Sequence, residues 1–416
     1  MKTQIAIVGA GPIGLEAALR ACVEGYNVRI YESGTIAENI QKWGFVKLFS
    51  PFEMNSSKQG RGGVAECFPD CRLPKADTIL TGEEFRDQYL LPLSRIPILQ
   101  EKIQENSKVI AIGRDHLSKR EKVGHETRSH DRFRILVESS SGEEIHFANV
   151  VLDCSGTYGH HRWVGAGGVP CVGERSSLAK KSYLIPDVVS ESHNQFLGKT
   201  ALVIGSGYSA ATTIVALSKL AQQNANTNTI WITRCRRDVP IARIENDPLD
   251  ERDQLARQAN VVARASDSAV QWIPNASILE IDHREDGCYR VLVRVEAIGA
   301  ETQRELLVDE IVANVGYKPN RSLYEELQIH ECYATQGPIK LAARLMGETS
   351  NDCLTQSSQG IETLQNPEPN IYILGSKSYG RDSRFLIRTG LEQIDQLFES
   401  LAEKRNSKTD SKTNLQ

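Results

Sequence analysis

Two glycine-rich turns, each directly after an apolar run, are the parts of this sequence with the clearest chemical use. The first turn contains Gly9, Gly11, Pro12, Ile13 and Gly14. In a strand–turn–helix unit, Gly9 permits the tight turn, Gly11 lets the backbone approach a pyrophosphate, and Gly14 lets the helix pack against the strand. The helix N-terminus then offers N–H groups and the positive end of its dipole to the phosphates. The first turn therefore predicts a dinucleotide site, and a glycine turn without a ligand is the alternative.

A carboxylate follows the first turn at the end of the next predicted strand. Glu32 lies 18 residues after Gly14, where its oxygens can accept hydrogen bonds from an adenosine ribose. The same negative charge would repel the 2′-phosphate of NADP. We therefore predict FAD or NAD at the first turn rather than NADP.

The second turn repeats this design with different neighbours. Its residues are Gly205, Ser206, Gly207, Tyr208, Ser209 and Ala210, with alanine in place of the third glycine, which the motif tolerates. The strand that follows ends in the basic residues Arg234, Arg236 and Arg237. Guanidinium groups suit the extra phosphate of NADP by their charge and by their forked donors. We therefore predict NADPH at this turn, and a solvated basic turn is the alternative.

Both turns need the same elements around them, namely a buried strand before the turn and a helix and a second strand after it. The predicted elements of the two units are 4–8, 15–25 and 27–33, then 199–204, 211–223 and 229–234. Further strands are predicted at 133–138, 145–152, 289–298, 306–313 and 371–374, and a final helix at 390–401. Polar composition predicts a solvated loop or hairpin tip at 113–132, with a basic binding patch as the alternative, and a disordered tail at 403–416. The alternation of strands and helices is typical of an α/β fold.

The composition is that of an ordinary globular enzyme. The 416 residues are 40% hydrophobic and carry a net charge of −4, so we expect no binding to nucleic acid or membrane. No apolar run approaches the length of a membrane span, and the N-terminal residues predict a strand rather than a signal peptide. The cysteines form no CxxC pair, and no residue cluster has metal-ligand spacing. These features predict a cytoplasmic protein without a metal.

Two further glycine turns complete a resemblance to a known family. Gly156, in segment 152–157, and Gly316, in segment 313–320, look like the turns at which chains cross between domains in flavoproteins with two dinucleotide-binding domains. Together with the ordered pair of dinucleotide turns, they make the chain similar to the pyridine nucleotide-disulphide oxidoreductase superfamily. The similarity extends from residue 1 to about residue 400.

The resemblance implies an α/β fold of two Rossmann-like three-layer (β/β/α) dinucleotide-binding domains, with the NADPH domain inserted in a discontinuous FAD domain. The implied boundaries are 1–170 and 310–402 for the FAD domain and 171–309 for the NADPH domain. FAD would then occupy the first turn and NADPH the second. The expected partner is a small-molecule substrate, and a homodimer is left open.

Within this superfamily the chain departs from the disulphide reductases. These enzymes carry a CxxxxC or CxxC pair beside the flavin, whereas the closest pair here, Cys67 and Cys71, has three intervening residues. They also end the last core strand in Gly-Asp, where this chain has Gly375 and Ser376, so the carboxylate that binds the ribityl chain is missing. Both departures argue against a dithiol reductase, although Gly375 still marks a cofactor-binding turn.

Another segment resembles the flavin-containing monooxygenases. Residues 54–58, followed by 67–70, look like the asparagine-containing loop and the Phe-Pro-Asp of that family. Asn55 matches the asparagine near the reactive edge of the flavin and is the candidate catalytic residue, with a turn former as the alternative. The family's FxGxxxHxxx(Y/F) string is absent, so the chain would be a divergent member. Trp43 is a candidate for stacking on the flavin ring, with core packing as the alternative.

Four other residues are weaker candidates for a role in catalysis. His160 and His161, near Gly156, are candidate acid–base groups, and solvated side chains are the alternative. Arg384 and Arg388 are candidates to stabilise negative charge on reduced flavin, with surface salt bridges as the alternative.

The predicted function is that of an FAD-dependent oxidoreductase that uses NADPH to reduce its flavin. The first hypothesis for the second half of the reaction is monooxygenase-like oxidation of a small-molecule amine or sulphur nucleophile. A reductase of a small-molecule or thiol/disulphide partner is the first alternative. A non-catalytic flavin or nucleotide sensor is the second, because fold alone does not determine function.

Overall fold

The chain consists of two compact units, one inserted in the other. The computed structural model describes residues 2–266, 268–297, 300–347 and 360–413. The first unit comprises Met1–His160 and Lys318–Gln416, and the second comprises His161–Tyr317.

The strands of both units are short, and most are buried. In chain order they are β1 (Gln4–Val8), β2 (Asn27–Tyr31), β3 (Ile103–Gln104), β4 (Lys108–Arg114), β5 (Phe133–Ser139), β6 (Gly142–Ala148), β7 (Val150–Asp153), β8 (Thr200–Ile204), β9 (Asn228–Ile232), β10 (Val270–Ile273), β11 (Ala276–His283), β12 (Tyr289–Ala297), β13 (Ala300–Val308), β14 (Glu310–Ala313) and β15 (Ile371–Ile373).

The helices range from single turns to one long C-terminal helix. They are α1 (Pro12–Val23), α2 (Glu38–Gln41), α3 (Lys58–Cys67), α4 (Gly82–Phe85), α5 (Leu91–Ser94), α6 (Pro97–Gln100), α7 (Glu174–Ser177), α8 (His193–Phe196), α9 (Tyr208–Ala221), α10 (Asp250–Arg264), α11 (Ile339–Gly347), α12 (Ile361–Leu364) and α13 (Ile387–Thr413). A π-helical turn, Arg86–Leu90, and short 3₁₀ segments, among them Phe52–Asn55 and Gly375–Tyr379, complete the described helical structure.

The first unit has three layers. Its central parallel sheet has the order β15-β7-β1-β2-β3, in which β1 pairs with both β2 and β7. Helices α1 and α13 cover one face of this sheet. The antiparallel sheet β4-β5-β6 packs on the other face through buried side chains such as Ile112, Phe133 and Ile135.

The second unit repeats this plan. Its parallel sheet has the order β10-β9-β8-β14, with α9 and α10 packed against it on one side. The antiparallel sheet β11-β12-β13 packs through a separate apolar cluster that includes Ile278, Val291 and Val293. The two units together confirm the predicted fold class of two Rossmann-like three-layer domains, one inserted in the other.

Two predicted strands are each divided between two sheets. The segment 145–152 separates at Asn149 into β6 and β7, and the segment 306–313 separates at Asp309 into β13 and β14. At each break a side-chain oxygen accepts a backbone N–H from the start of the central strand of its unit. Asn149 Oδ1 accepts from Gln4 at 2.9 Å, and Asp309 Oδ2 accepts from Thr200 at 2.7 Å. These polar residues mark where the chain leaves one layer for the next.

The domain boundaries lie closer to the two crossover turns than the sequence indicated. Strand β14 pairs in parallel with β8, so residues 310–317 belong to the second unit rather than the first. Residues 161–170 also belong to the second unit, where the backbone N–H of Val164 donates to Glu174 at 2.9 Å. The observed crossovers therefore follow His160 and Tyr317.

Two polar segments are more ordered than their composition suggested. The segment 113–132 joins the antiparallel strands β4 and β5, as the hairpin-tip alternative predicted, but its Arg128 is fully buried and donates to Glu368 at 2.8 Å. The segment predicted as a disordered tail is helical as far as Thr413, where α13 ends. Within that extension the Arg405 guanidinium lies 5.6 Å from the ring centre of Tyr26. Among the described residues, no helix is long and apolar enough to cross a bilayer.

Candidate functional site

The first glycine turn joins β1 to α1 and excludes side chains at two of its three glycines. Gly9 has φ +98°, and a Cβ there would lie 2.9 Å from the Cys154 carbonyl oxygen. A Cβ at Gly14 would overlap the Gly9 carbonyl oxygen. Gly11 differs, because nothing lies within 4 Å of the position its Cβ would take. The turn therefore leaves bare backbone facing open space at Gly11, where α1 begins.

The Glu32 carboxylate is attached directly to this turn. One oxygen accepts from the backbone N–H of Ala10 at 2.7 Å, and the other accepts from Gly34 N–H at 3.1 Å. The Gly9 N–H donates to the Tyr31 carbonyl at 2.8 Å. The carboxylate also accepts from the Ser33 hydroxyl at 3.2 Å. Glu32 is half-buried, so it holds the turn while part of its side chain stays exposed.

Of two more predicted glycines, Gly375 lies beside the first turn of α1 and Gly156 lies beside the residue that follows Gly375. Gly375 has φ +69°, and a Cβ there would lie 3.2 Å from the Cγ1 of Ile13. A Cβ at Gly390, near the start of α13, would overlap the same isoleucine side chain. Gly156 has φ +68°, and its Cβ position lies 3.5 Å from Ser376 Oγ. The ends of β7 and β15 and the starts of α1 and α13 therefore converge.

A buried ion pair lies where the ends of β7 and β15 meet, and sequence analysis missed it. Lys377 Nζ contacts Asp153 Oδ2 at 2.5 Å and Ser155 Oγ at 3.1 Å, and the side chains of Lys377 and Asp153 are fully buried. Asp153 also accepts from the Ser155 hydroxyl at 2.6 Å. The lysine lies 5.0 Å from the ring centre of Tyr324, whose pKa is raised by burial and by the nearby Asp153 charge. The pair fixes the turns after β7 and β15 to each other.

Asn55 lies in a buried loop, and its amide is bound within that loop. Both amide hydrogens are directed to backbone carbonyls, at 2.9 Å to Ser50 and 3.0 Å to Pro51. Its Oδ1 accepts from the Ser50 hydroxyl at 2.8 Å. The residue is 2% exposed. This geometry supports a turn-forming role, and a catalytic role for Asn55 stays a prediction.

The neighbouring loop is tied to α1 by a buried carboxylate. Glu16 accepts from the Ser57 backbone N–H at 2.9 Å and from the Ser57 hydroxyl at 2.7 Å, and the Tyr89 hydroxyl donates to it as well. Burial raises the pKa of Glu16, and the hydrogen bonds oppose that shift. Ser57 is also the N-cap of α3, where it accepts from Gly60. The loop that carries Asn55 is thus anchored to the helix of the first turn.

Trp43 packs against Gly82 in the first unit. A Cβ at Gly82 would lie 2.7 Å from the Trp43 ring, and the tryptophan is half-buried against the core. Core packing therefore accounts for part of its surface, and stacking on a flavin stays a prediction.

The second glycine turn joins β8 to α9 and has the same backbone design. Gly205 has φ +142°, and a Cβ there would overlap the carbonyl oxygen of Asn314. Nothing lies within 4 Å of the Cβ position of Gly207, the N-cap of α9. Ala210 is fully buried at the place of the third glycine. The Gly205 carbonyl accepts from the indole N–H of Trp231 at 2.8 Å.

Tyr208 and Ser209 form the first turn of α9, and their side chains are half-buried. Gly316, at the crossover after β14, has φ +83°, and its carbonyl accepts from the N–H of Arg162 at 2.9 Å. Asn314, between β14 and this crossover, accepts from the Thr213 hydroxyl of α9 at 2.9 Å. The start of α9 and the end of β14 are therefore joined beside the open glycine.

The arginines that follow β9 are exposed and available. Within the part of the chain that the structure describes, Arg234, Arg236 and Arg237 have no hydrogen bond or ion pair. The preceding residue, Thr233, is buried and accepts from the Trp272 indole N–H at 3.0 Å. Three unpaired guanidinium groups thus lie beyond a fixed strand end.

The weaker candidates are engaged in local contacts. Arg384 pairs with Asp382 at 2.6 Å and also donates to the Leu345 carbonyl of α11 at 2.9 Å, and Arg388 pairs with Glu392 at 3.5 Å. The His161 ring stacks on Tyr183 with ring centres 3.5 Å apart.

The described cysteines are free thiols. Cys67 is exposed and Cys71 is half-buried, and Cys353 lies outside the described residues. Burial raises the pKa of Cys154 at the first turn, and burial beside Glu174 raises the pKa of Cys171 to about 12. Neither thiol is therefore poised as a thiolate.

A chain with two open glycine turns, each between a buried parallel strand and a helix, belongs to the class of proteins built from two dinucleotide-binding folds. Residues 3–345 match the family model described as pyridine nucleotide-disulphide oxidoreductase. The chain belongs to this family of flavin-dependent oxidoreductases, and the superfamily resemblance drawn from the sequence is confirmed. A search of curated proteins finds no match.

Solved structures with the same fold include both reductases and a hydroxylase. The bacillithiol disulfide reductase from Bacillus cereus is 17% identical, with 97% of this chain and 100% of that chain covered and a TM-score of 0.68. The thioredoxin reductase from T. acidophilum is 16% identical, with 96% and 99% covered and a TM-score of 0.60. The ornithine N-hydroxylase from Kutzneria sp. 744 is 15% identical, with 97% and 100% covered and a TM-score of 0.61. At these identities the similarity establishes the fold alone.

Proposed function

We propose that this chain is an FAD- and NADPH-dependent oxidoreductase, with FAD at the first turn and NADPH at the second. One observation carries the proposal. The same open glycine turn occurs twice, followed in one unit by a carboxylate and in the other by three unpaired guanidinium groups.

The residues of the first unit fit FAD. A Cβ at Gly11 would fill space that a pyrophosphate needs, and the bare α1 N-terminus supplies donors for it. Glu32 is fixed beside the turn and is partly exposed, so its carboxylate would accept from the adenosine ribose. Gly156 and Gly375 keep side chains away from the convergence of β7, β15 and α1. Bound FAD would supply the electron-transfer chemistry of the reaction.

The residues of the second unit fit NADPH. Gly207 offers the same bare approach to a pyrophosphate at the start of α9. Beyond β9, Arg234 and Arg236 have donors free to form charge-assisted hydrogen bonds with a 2′-phosphate. NADH lacks that phosphate, so these arginines would distinguish the two nucleotides.

For the electron acceptor, the first candidate is oxygen in a monooxygenase-like reaction on a small-molecule amine or sulphur nucleophile. Residues 54–58 support it by their resemblance to the monooxygenase loop. One observation favours a second candidate, direct reduction of a small-molecule or thiol/disulphide acceptor. Both amide hydrogens of Asn55 are already bound to carbonyls of its own loop, so this amide has no hydrogen left to donate to a flavin.

Anaerobic mixing of the FAD-loaded protein with NADPH, and separately with NADH, tests the proposal. We expect NADPH to bleach the flavin absorbance rapidly and NADH to do so at least about tenfold more slowly at equal concentration. Failure of both nucleotides to reduce the flavin would reject the proposal in favour of a non-catalytic sensor. When oxygen is then admitted in the presence of an amine or sulphur nucleophile, a product that requires oxygen, with little hydrogen peroxide, would select the monooxygenase. Turnover of a disulphide acceptor without oxygen would select the reductase.

A further inference from the structure

The proposed 2′-phosphate arginines lie on a loop that follows α10 along much of its length. This loop, residues 233–249, connects β9 to α10. It runs antiparallel to the helix, and successive loop residues meet successively earlier helix residues. The pairs, from the strand end onward, are Asp238 with Arg264, Ile241 with Asn260, Arg243 with Asp253, and Asp247 with Arg252.

The contact between Asn260 and Ile241 is the most specific of these pairs. Asn260 Oδ1 accepts the backbone N–H of Ile241 at 3.0 Å, and its Nδ2 donates to the carbonyl of the same residue at 2.9 Å. Asn260 is 8% exposed and Ile241 is 2% exposed. A carboxamide is suited to this pattern because it carries a donor and an acceptor side by side. Asn260 therefore fixes one residue of the loop in place.

The arginine segment lies between two fixed points. Before it, Thr233 accepts from the Trp272 indole N–H at 3.0 Å. After it, the carbonyl of Asp238 accepts from the Arg264 guanidinium at 2.6 Å. Only residues 234–237 lie between these points, and the arginines among them have no partner of their own in the part of the chain that is described.

We propose that Asn260 and Arg264 are positioning residues that set the preference for NADPH over NADH. This inference rests on the proposed function of the second turn. Long side chains and flexible loops lose conformational entropy when a ligand orders them. Because the loop is already fixed at Asp238 and Ile241, the arginines would meet a 2′-phosphate with much of that loss avoided. Neither positioning residue needs to touch the nucleotide.

The test uses the full-length FAD-loaded protein and two nucleotide fragments, 2′,5′-ADP and 5′-AMP, with binding measured by calorimetry. Wild type should bind 2′,5′-ADP more tightly. Asn260→Leu changes no charge and removes both hydrogen bonds to Ile241. We expect this variant to weaken 2′,5′-ADP binding about tenfold and to leave 5′-AMP binding within about twofold.

Arg264→Leu is a second variant at an exposed position, so its folding does not depend on a buried amide. Its control is Arg257→Leu, which removes the same charge from the same helix but from a residue paired with Asp253 at 2.6 Å. We expect Arg264→Leu to lower the preference for 2′,5′-ADP at least about threefold more than Arg257→Leu does.

The possible outcomes distinguish a failure of this inference from a failure of the proposed NADPH site. If wild type binds the two fragments equally, the proposed NADPH site fails. If wild type prefers 2′,5′-ADP and a folded Asn260→Leu keeps that preference, the positioning role is overturned. If Asn260→Leu does not fold, equal preferences in Arg264→Leu and Arg257→Leu overturn it.

Discussion

The two glycine turns have the same backbone plan and are secured by opposite chemistry. In each, the first glycine donates its N–H to the carbonyl of the following strand, from Gly9 to Tyr31 at 2.8 Å and from Gly205 to Ile232 at 3.1 Å. The first turn is then held by the Glu32 carboxylate, which accepts from a backbone N–H. The second is held by an indole N–H, which donates to a backbone carbonyl.

Under the proposed function, this difference separates the geometry of a turn from its choice of nucleotide. In the first unit one carboxylate performs both tasks, because the group that holds the turn also carries the charge that would exclude a 2′-phosphate. In the second unit Trp231, fully buried within the sheet, holds the turn. The strand end beyond it is therefore free to carry arginines, and changing them should leave the turn intact.

The largest expected effect concerns the polar contacts beneath the turns. Lys377→Met leaves the Asp153 carboxylate buried without its cation, which should lower the free energy of unfolding by about 3–5 kcal/mol. Thr213→Val is the matched change in the second unit, where it removes the neutral hydroxyl that donates to Asn314. This change should lower the free energy of unfolding by about 1–2 kcal/mol. Urea unfolding of both variants measures the difference. Equal losses would show that the two units are secured equally.

The next effect concerns the open glycines. Gly11→Val places a side chain in open space, so the protein should fold but lose FAD affinity at least about 100-fold, which corresponds to about 2.7 kcal/mol. Gly207→Val should retain the flavin and lose NADPH binding by a similar factor. Flavin content after purification and nucleotide titration measure the two effects. A Gly11→Val protein that still contains stoichiometric FAD would contradict the assignment of the first turn.

The smallest effect distinguishes the two helices that follow the turns. Glu16 on α1 is buried with a raised pKa, whereas the corresponding residue on α9 is Thr212, whose hydroxyl donates to the Tyr208 carbonyl at 3.0 Å. A carboxyl with a raised pKa in the folded state favours that state most at low pH, and this contribution is lost as pH rises from the ordinary carboxyl pKa of 4.5 through the pKa of the folded state. Glu16→Gln should therefore make stability less dependent on pH above 4.5. Thermal unfolding from pH 4.5 to 8 measures the slope, and an unchanged slope would show that Glu16 is not its source.

The sequence predicted the parts of the site that are encoded locally. Gly9, Gly11 and Gly14 occur within six residues, and their roles follow from the backbone geometry of a single turn. The basic segment after β9 was also visible, because a strand end lies close in sequence to its own turn. Trp231 could have been found as the only aromatic residue within β9.

The contacts that the sequence did not predict join distant residues. Lys377 and Asp153 are 224 positions apart, and Arg128 and Glu368 are 240 apart, so no local pattern pairs them. The layer changes at Asn149 and Asp309 were not visible because each residue lies within a mostly apolar segment that predicts one continuous strand. The tail continues α13 beyond the apolar residues that pack on the first unit, such as Leu397 and Phe398, and the polar composition of 403–416 does not show that the helix continues.

The most direct test of the central claim is nucleotide selectivity after the guanidinium groups are removed. In the triple variant Arg234→Gln, Arg236→Gln and Arg237→Gln, NADPH and NADH should reduce the bound flavin at similar rates under anaerobic mixing. The NADH rate should stay near that of wild type, because Gly207 and Trp231 still form the turn. If the variant instead keeps the wild-type preference for NADPH, the arginines do not choose the nucleotide and the contrast between the two turns has no functional meaning.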